Sequence, residues 1–260
     1  MIIGAPSYIN CYPLIYPLLT KQVPSEFEFV LARPTTINQL LERAEIDVGL
    51  VSSAFFLENI YKYKIAANFG ITASQEIMSV CLFTKKVKPE TIHLPKSSAT
   101  SIQLLKILCR KVWKIKPRFC LFDDEAEEFS QFDYSQFEAY LLIGDRCLLH
   151  PPVEGVAKID LSTEWWQFTQ KPFTYALFAA KDSSNFDYLD SLFKEAYAWS
   201  KKNFSQVIRA AQERTKLPEE RLIKYYSTIN FRLDQNHFDG LKLFGDYVRE
   251  EIPAHHSFTL

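Results

Sequence analysis

The sequence predicts an α/β protein made of two consecutive units that face a cleft. Three observations predict it: short β-branched and aromatic runs alternate with helical patterns up to Ala180, helical patterns alone follow Ser184, and polar clusters sit where the expected strands end. Of the 260 residues, 47% are hydrophobic, 23% are charged and 7 are Gly, too apolar for a disordered chain and too poor in glycine for a collagen-like one. Folding at this length buries roughly 70–75% of the unfolded surface, which suits one large domain or two lobes.

The elements follow in order. Residues 2–5 read as a strand, 13–20 as a helix, 27–32 as a strand, 36–43 as a helix with Ile37, Leu40 and Leu41 on one face, and 46–51 as a buried strand. That β-α-β-α-β order is the pattern of a parallel sheet. It resumes after a strand at 78–84, with 101–112 helical, Arg118–Phe122 extended and Ala139–Ile143 a buried strand. From Ser184, which with Asp187 resembles a capping box, Phe186, Leu189, Phe193, Ala196 and Trp199 recur at helical spacing. Further helices are expected at 205–213, 218–226 and Gln235–Arg249. With no low-complexity linker, ordered strands should join the lobes: 78–84 going out and Phe173–Ala180 coming back. Residues 1–82 and 178–260 then form one discontinuous lobe with the C-terminal helices, and 83–177 an inserted second.

Charge and motifs exclude much chemistry. Thirty basic against 31 acidic side chains leave a net charge of -1, so no general field attracts nucleic acid or anionic lipid, and an anionic ligand must be held by local groups. The MIIGAP opening has no basic leader, and charges interrupt every apolar run short of the roughly 18–20 residues that span a bilayer. A soluble cytoplasmic protein is expected. Cys11, Cys81, Cys109, Cys120 and Cys147, odd in number and without a CxxC pair, fit free thiols in a reducing compartment. Neither GxGxxG nor GxxxxGK[ST] occurs, and His93, His150, His237, His255 and His256 form no zinc-like spacing, so neither cofactor nor metal is expected. The acidic run from Asp123 to Glu128 reads as a solvated helix start rather than a site for a hard cation, and Cys11 as a buried thiol rather than a nucleophile.

Four polar clusters remain at strand ends, where α/β sheets present ligand sites. In Ser7-Tyr8-Ile9-Asn10-Cys11-Tyr12-Pro13-Leu14, Asn10 either caps the helix begun at Pro13, the reading that helix-start statistics favour, or turns its amide into a cleft. Asp47-Val48-Gly49-Leu50-Val51-Ser52-Ser53 is a buried strand ending in two hydroxyls, with a helix after it. Ser97-Ser98-Ala99-Thr100-Ser101 gathers hydroxyls and helix-start N–H groups where a carboxylate can bind. In Ile143-Gly144-Asp145, Asp145 caps the next turn or orients a ligand hydroxyl. Ser79 stands at the start of the outgoing crossover, where it is an ordinary strand hydroxyl or a ligand contact. Together these describe a cleft suited to a small anion.

The opening Ser7 to Leu14 segment resembles that of the chorismate dehydratases of the futalosine route to menaquinone, and four further segments follow in matching order: IDVGLVSS, SATS, LLIGD and DLSTEWWQFTQKPF. The likeness covers nearly the whole chain. Ser162 stands where glycine is usual, and Thr174-Tyr175 where valine and an aromatic are commoner. The resemblance implies a two-lobed type II periplasmic-binding-protein-like fold and a hydro-lyase that dehydrates chorismate, a dicarboxylate, to 3-[(1-carboxyvinyl)oxy]benzoate. It implies Asn10 as the catalytic residue, a carboxylate grip by Ser98, Thr100 and Ser101, and contacts to the ring hydroxyl or other carboxylate by Ser52, Ser79 and Asp145. Trp165 and Trp166 read as packing. The alternatives are a non-catalytic cytoplasmic solute-binding or sensor protein for a small carboxylate, since fold does not fix function, and another enzyme of the same route that takes a larger ligand.

Overall fold

The computed structural model describes residues 1–123, 133–182 and 185–250. In chain order the strands are β1 (Ile2–Pro6), β2 (Glu28–Ala32), β3 (Val48–Ser52), β4 (Lys64–Ala73), β5 (Val80–Thr84), β6 (Thr91–Pro95), β7 (Arg118–Phe122), β8 (Ala139–Ile143), β9 (Ala157–Asp160), β10 (Phe173–Ala180) and β11 (Asn230–Arg232). The helices are α1 (Tyr12–Leu19), α2 (Pro34–Glu42), α3 (Ser53–Glu58), α4 (Ala99–Leu108), α5 (Gly144–Leu149), α6 (Leu161–Thr169), α7 (Phe186–Lys202), α8 (Phe204–Thr215), α9 (Glu219–Thr228) and α10 (Gln235–Arg249).

The strands form two sheets, ordered β11-β4-β10-β3-β1-β2 and β7-β6-β8-β5-β9. The parallel pattern read from the first five elements holds for β2-β1-β3. Beyond β3 the sheet turns antiparallel, because β10 returns between β3 and β4 and pairs with both. This is how an inserted unit is accommodated: the chain leaves by β4 and comes back beside it. Gly70 permits the close pairing, since a Cβ there would lie 2.4 Å from the Ala176 carbonyl oxygen. The second sheet is mixed in the same way, with β7-β6-β8 parallel and β5 antiparallel to both β8 and β9.

Each strand expected to join the lobes lies whole within one sheet, β5 in the second and β10 in the first. The chain crosses between the sheets at 74–79 and 170–172, so the limits at 82/83 and 177/178 cut through strands. The helix expected at 101–112 starts at Ala99 and ends in a π-helical turn, Cys109–Trp113, closed by left-handed Lys114. Helix α7 begins at Phe186 with Asn185 at its N-cap, while Ser184 falls outside the described residues, as do Asp124 to Glu128, His255 and His256.

Aromatic side chains fill the core of the first half, where Phe178 stacks on Phe193 with centroids 3.9 Å apart. Trp165 is fully buried among Phe173, Phe244 and Tyr247, the packing expected of it. No disulfide joins the five cysteines. Among the described residues no helix is long and apolar enough to cross a membrane.

Candidate functional site

A cavity of about 80 Å³ lies between the sheets and is walled by both. From the first half come Tyr8 and Asn10, which follow β1, together with Thr35 and Asn38 on α2 and Ser52 at the end of β3. From the second come Ser79 just before β5, Ser97 to Ser101 at the start of α4, Ile143 at the end of β8 and Gly144 at the start of α5. Six of the seven expected site residues thus meet on one surface, and among the described residues no Asp, Glu, Lys, Arg or His lines it. Small-molecule sites usually enclose about 300–1,000 Å³, so a ligand must part these walls to enter.

Asn10 sits in a 3-10 turn, Ile9–Cys11, that runs directly into α1. No side chain caps either helical segment, so Asn10 is not the helix cap that its residue type favours. Its Oδ1 accepts a hydrogen bond from the Cys11 thiol at 3.0 Å, which leaves the amide N–H groups as donors. Burial, reinforced by the Asp145 carboxylate, pushes the Cys11 thiol well above its ordinary range. Cys11 therefore stays protonated, a donor to Asn10 and not a nucleophile.

The hydroxyls differ in how they are engaged. Ser52 Oγ caps α3 by accepting from the Phe55 N–H at 3.4 Å and also accepts from Asn38 Nδ2 at 3.3 Å, leaving its own proton to donate. Ser79 Oγ accepts from the Tyr225 hydroxyl at 3.1 Å. Thr100 Oγ1 accepts from the Ala54 N–H at 3.0 Å, a bond between α4 and α3. Ser98, the N-cap of α4, makes no side-chain capping bond, and residues 97–101 line the cavity, so this ten-residue helix begins at the cavity wall with no cap from Ser98.

Asp145 departs from the expectation that it touches ligand. It lies behind the cavity, 1% exposed, where Oδ1 accepts from the Ile9 N–H at 3.1 Å and Oδ2 from Arg214 Nε at 3.0 Å. Burial raises its carboxyl above the usual range, opposed by Arg214 and the Ile9 N–H. Asp160 does similar work at the other wall. It caps α6 through the Ser162 and Thr163 N–H groups and accepts from the Ile77 and Met78 N–H groups, holding Met78 in a left-handed conformation (φ 64°) just before Ser79.

Sequence reading misses Asn38, Thr35, Tyr8 and Tyr175 in the lining. Asn38 lies one helical turn into α2 and looks like a surface residue until the fold brings it to Ser52. Burial pushes the Tyr175 phenol far up, so it stays neutral. A larger cavity, about 660 Å³, opens beside Tyr140, His150 and Arg146 in the second half, and none of the expected site residues lines it. The His150 ring there packs edge-on to Phe83, with its Nε2 2.9 Å from the Tyr140 hydroxyl.

Two sheets joined by two crossings, with a cavity between them that mixes apolar side chains with hydroxyl and amide groups, define the class of two-lobed binding-protein folds. A protein from Archaeoglobus fulgidus has this fold at TM-score 0.77 and 16% identity, with 96% of each chain covered. The periplasmic aliphatic sulphonate binding protein of Escherichia coli has it at TM-score 0.67 and 17% identity, over 96% of this chain and 86% of that one. Within that class the chain belongs to the menaquinone biosynthesis family, which it matches over residues 1–250. It is 28% identical to the chorismate dehydratase of Thermus thermophilus, covering 94% of both chains, and 26% identical to that of Campylobacter jejuni over 69% of this chain and 67% of that one.

Proposed function

We propose that this protein is a chorismate dehydratase, a carbon–oxygen lyase that acts in the cytoplasm on the futalosine route and converts chorismate to 3-[(1-carboxyvinyl)oxy]benzoate. Its family and its likeness to the chorismate dehydratases of Thermus thermophilus and Campylobacter jejuni support that activity. The observation that carries the site is the cavity itself: Asn10, Ser52, Ser79, Ser98, Thr100 and Ser101 converge on it, and it holds donors without charges.

In the reaction a ring C–H bond breaks, its electron pair becomes the new ring double bond, and the neighbouring hydroxyl leaves with that proton as water. The ring becomes aromatic, so the driving force resides in the substrate, and the protein has mainly to orient a dianion and exclude solvent. Ser98, Thr100, Ser101 and the α4 N–H groups hold one carboxylate. The Asn10 amide donates to the enolpyruvyl carboxylate, which takes the ring proton in place of a protein base and passes it to the departing hydroxyl, and so stabilises charge as it shifts. Ser52 and Ser79 donate to the departing hydroxyl or to the second carboxylate. Incubation of the purified protein with chorismate, followed by mass spectrometry, should show loss of one water from the substrate. Tight binding of chorismate without that loss would instead support a non-catalytic binding protein.

A further inference from the structure

We propose that buried Asp145, paired with the partly exposed Arg214, is a positioning device that clamps the Ile9–Cys11 turn and so fixes where the Asn10 amide points. The inference rests on the catalytic reading of Asn10 above. The preceding residue, Ile9, has both main-chain groups held by side chains from distant parts of the chain. Its N–H donates to Asp145 Oδ1 at 3.1 Å, and its carbonyl accepts from the Tyr226 hydroxyl at 2.9 Å. Asp145 is in turn anchored by Arg214 Nε at 3.0 Å. The turn's own main-chain bonds are few, Cys11 N–H to the Tyr8 carbonyl at 3.2 Å and Tyr12 N–H to the Ile9 carbonyl, so these side chains add the restraint that a longer helix would supply for itself.

The location of Asp145 explains why a carboxylate serves here. It is in the first turn of α5, behind the cavity wall, and its charge is met by one N–H and one guanidinium instead of by the ligand. The corner that carries it is equally constrained. Gly144 is left-handed (φ 57°), its N–H donates to the Ser79 carbonyl at 2.8 Å, and a Cβ there would lie 3.2 Å from the Tyr8 ring. One corner therefore sets two cavity residues, Ser79 through its carbonyl and Asn10 through the Ile9 N–H. Displacing a reacting group by about 1 Å can cost on the order of a hundredfold in rate, so a clamp of this kind acts on turnover more than on binding.

The test measures kcat and KM for chorismate in Asp145→Ala, Arg214→Gln and Tyr226→Phe, each alone and combined with Asn10→Ala. Asp145→Ala should lower kcat about tenfold to a hundredfold, with KM changed far less, and the other two several-fold. In the Asn10→Ala background all three should add almost nothing, because the group they position is gone. Arg214→Gln and Tyr226→Phe leave the carboxylate in place and carry the test if Asp145→Ala does not fold. Parental kcat in folded Arg214→Gln and Tyr226→Phe, or full additional losses in the Asn10→Ala background, would overturn the clamp. A parent protein that leaves chorismate intact overturns the functional reading and the clamp with it, whereas an active parent impaired by Asn10→Ala alone overturns only the clamp.

Discussion

The two walls of the cavity are built differently. On the first-sheet wall, Asn10 and Ser52 have their acceptor atoms engaged by Cys11, Phe55 and Asn38, so each presents donors fixed in direction. On the second-sheet wall, α4 begins at the cavity with no cap from Ser98, and Ser98 and Ser101 line it. Fixed donors suit charge that moves during a reaction, because they need no reorganisation when it moves. A helix start suits charge that stays put. On the proposed function the contrast teaches how an uncharged cavity could divide labour: the first wall should act on turnover and the second on affinity.

The largest expected effect comes from placing a charge on the first wall. Asn10→Asp keeps size but sets a carboxylate against a dianion in a closed cavity, and the variant should be folded and nearly inactive in a chorismate turnover assay. Asn10→Ala should lower kcat on the order of a hundredfold with a smaller change in binding. Because Asn10 caps nothing, its thermal unfolding midpoint should stay close to the parent's, without the loss of about 0.5–2 kcal/mol that removing a cap brings. A clear loss of stability with parental kcat would assign Asn10 to the fold and erase the contrast.

On the second wall, Ser98→Ala should raise KM roughly tenfold, the worth of one hydrogen bond to a charged group, and leave kcat close to the parent's. A variant that loses kcat at unchanged KM would show that both walls take part in the chemistry. At the corner shared by the walls, Gly144→Val forces a branched side chain into left-handed backbone against Tyr8, and chemical denaturation should reveal a loss of about 1–3 kcal/mol.

How far the sequence reveals this site follows from the range of the interactions. The strand–helix order up to β3 is local and legible, because apolar periodicity and strand-end hydroxyls mark it directly. The strand Lys64–Ala73 is not, since Ala66, Ala67, Asn68 and Gly70 break up its β-formers, and it is stabilised by pairing with β10 about 100 residues later. The cavity hydroxyls are legible as clusters, but their supports are not. Asp145, Arg214 and Tyr226 reach Ile9 and one another across separations of 69 to 217 residues, which no local pattern encodes. Asn10 also shows the limit of residue preference: Asn favours helix starts, but here the turn passes into α1 without using it.

The smallest expected effect is on pH. Cys11 and Tyr175 are held neutral by burial, and among the described residues no His, Asp, Glu, Lys or Arg lines the cavity. Both raised pKa values keep the groups protonated as pH rises through neutrality, so kcat/KM should be flat between about pH 6 and pH 9. A bell-shaped profile in that window would point to a protein acid or base and remove the case for the substrate's own carboxylate as proton acceptor.

The most direct test of the division between the walls is a pair of measurements on one set of proteins: chorismate turnover at saturation, and the affinity for 3-[(1-carboxyvinyl)oxy]benzoate, for the parent, Asn10→Ala and Ser98→Ala. The account predicts that Asn10→Ala loses turnover with affinity largely kept, and that Ser98→Ala loses affinity with turnover largely kept. Equal losses of both quantities in both variants, or parental turnover in Asn10→Ala, would contradict it.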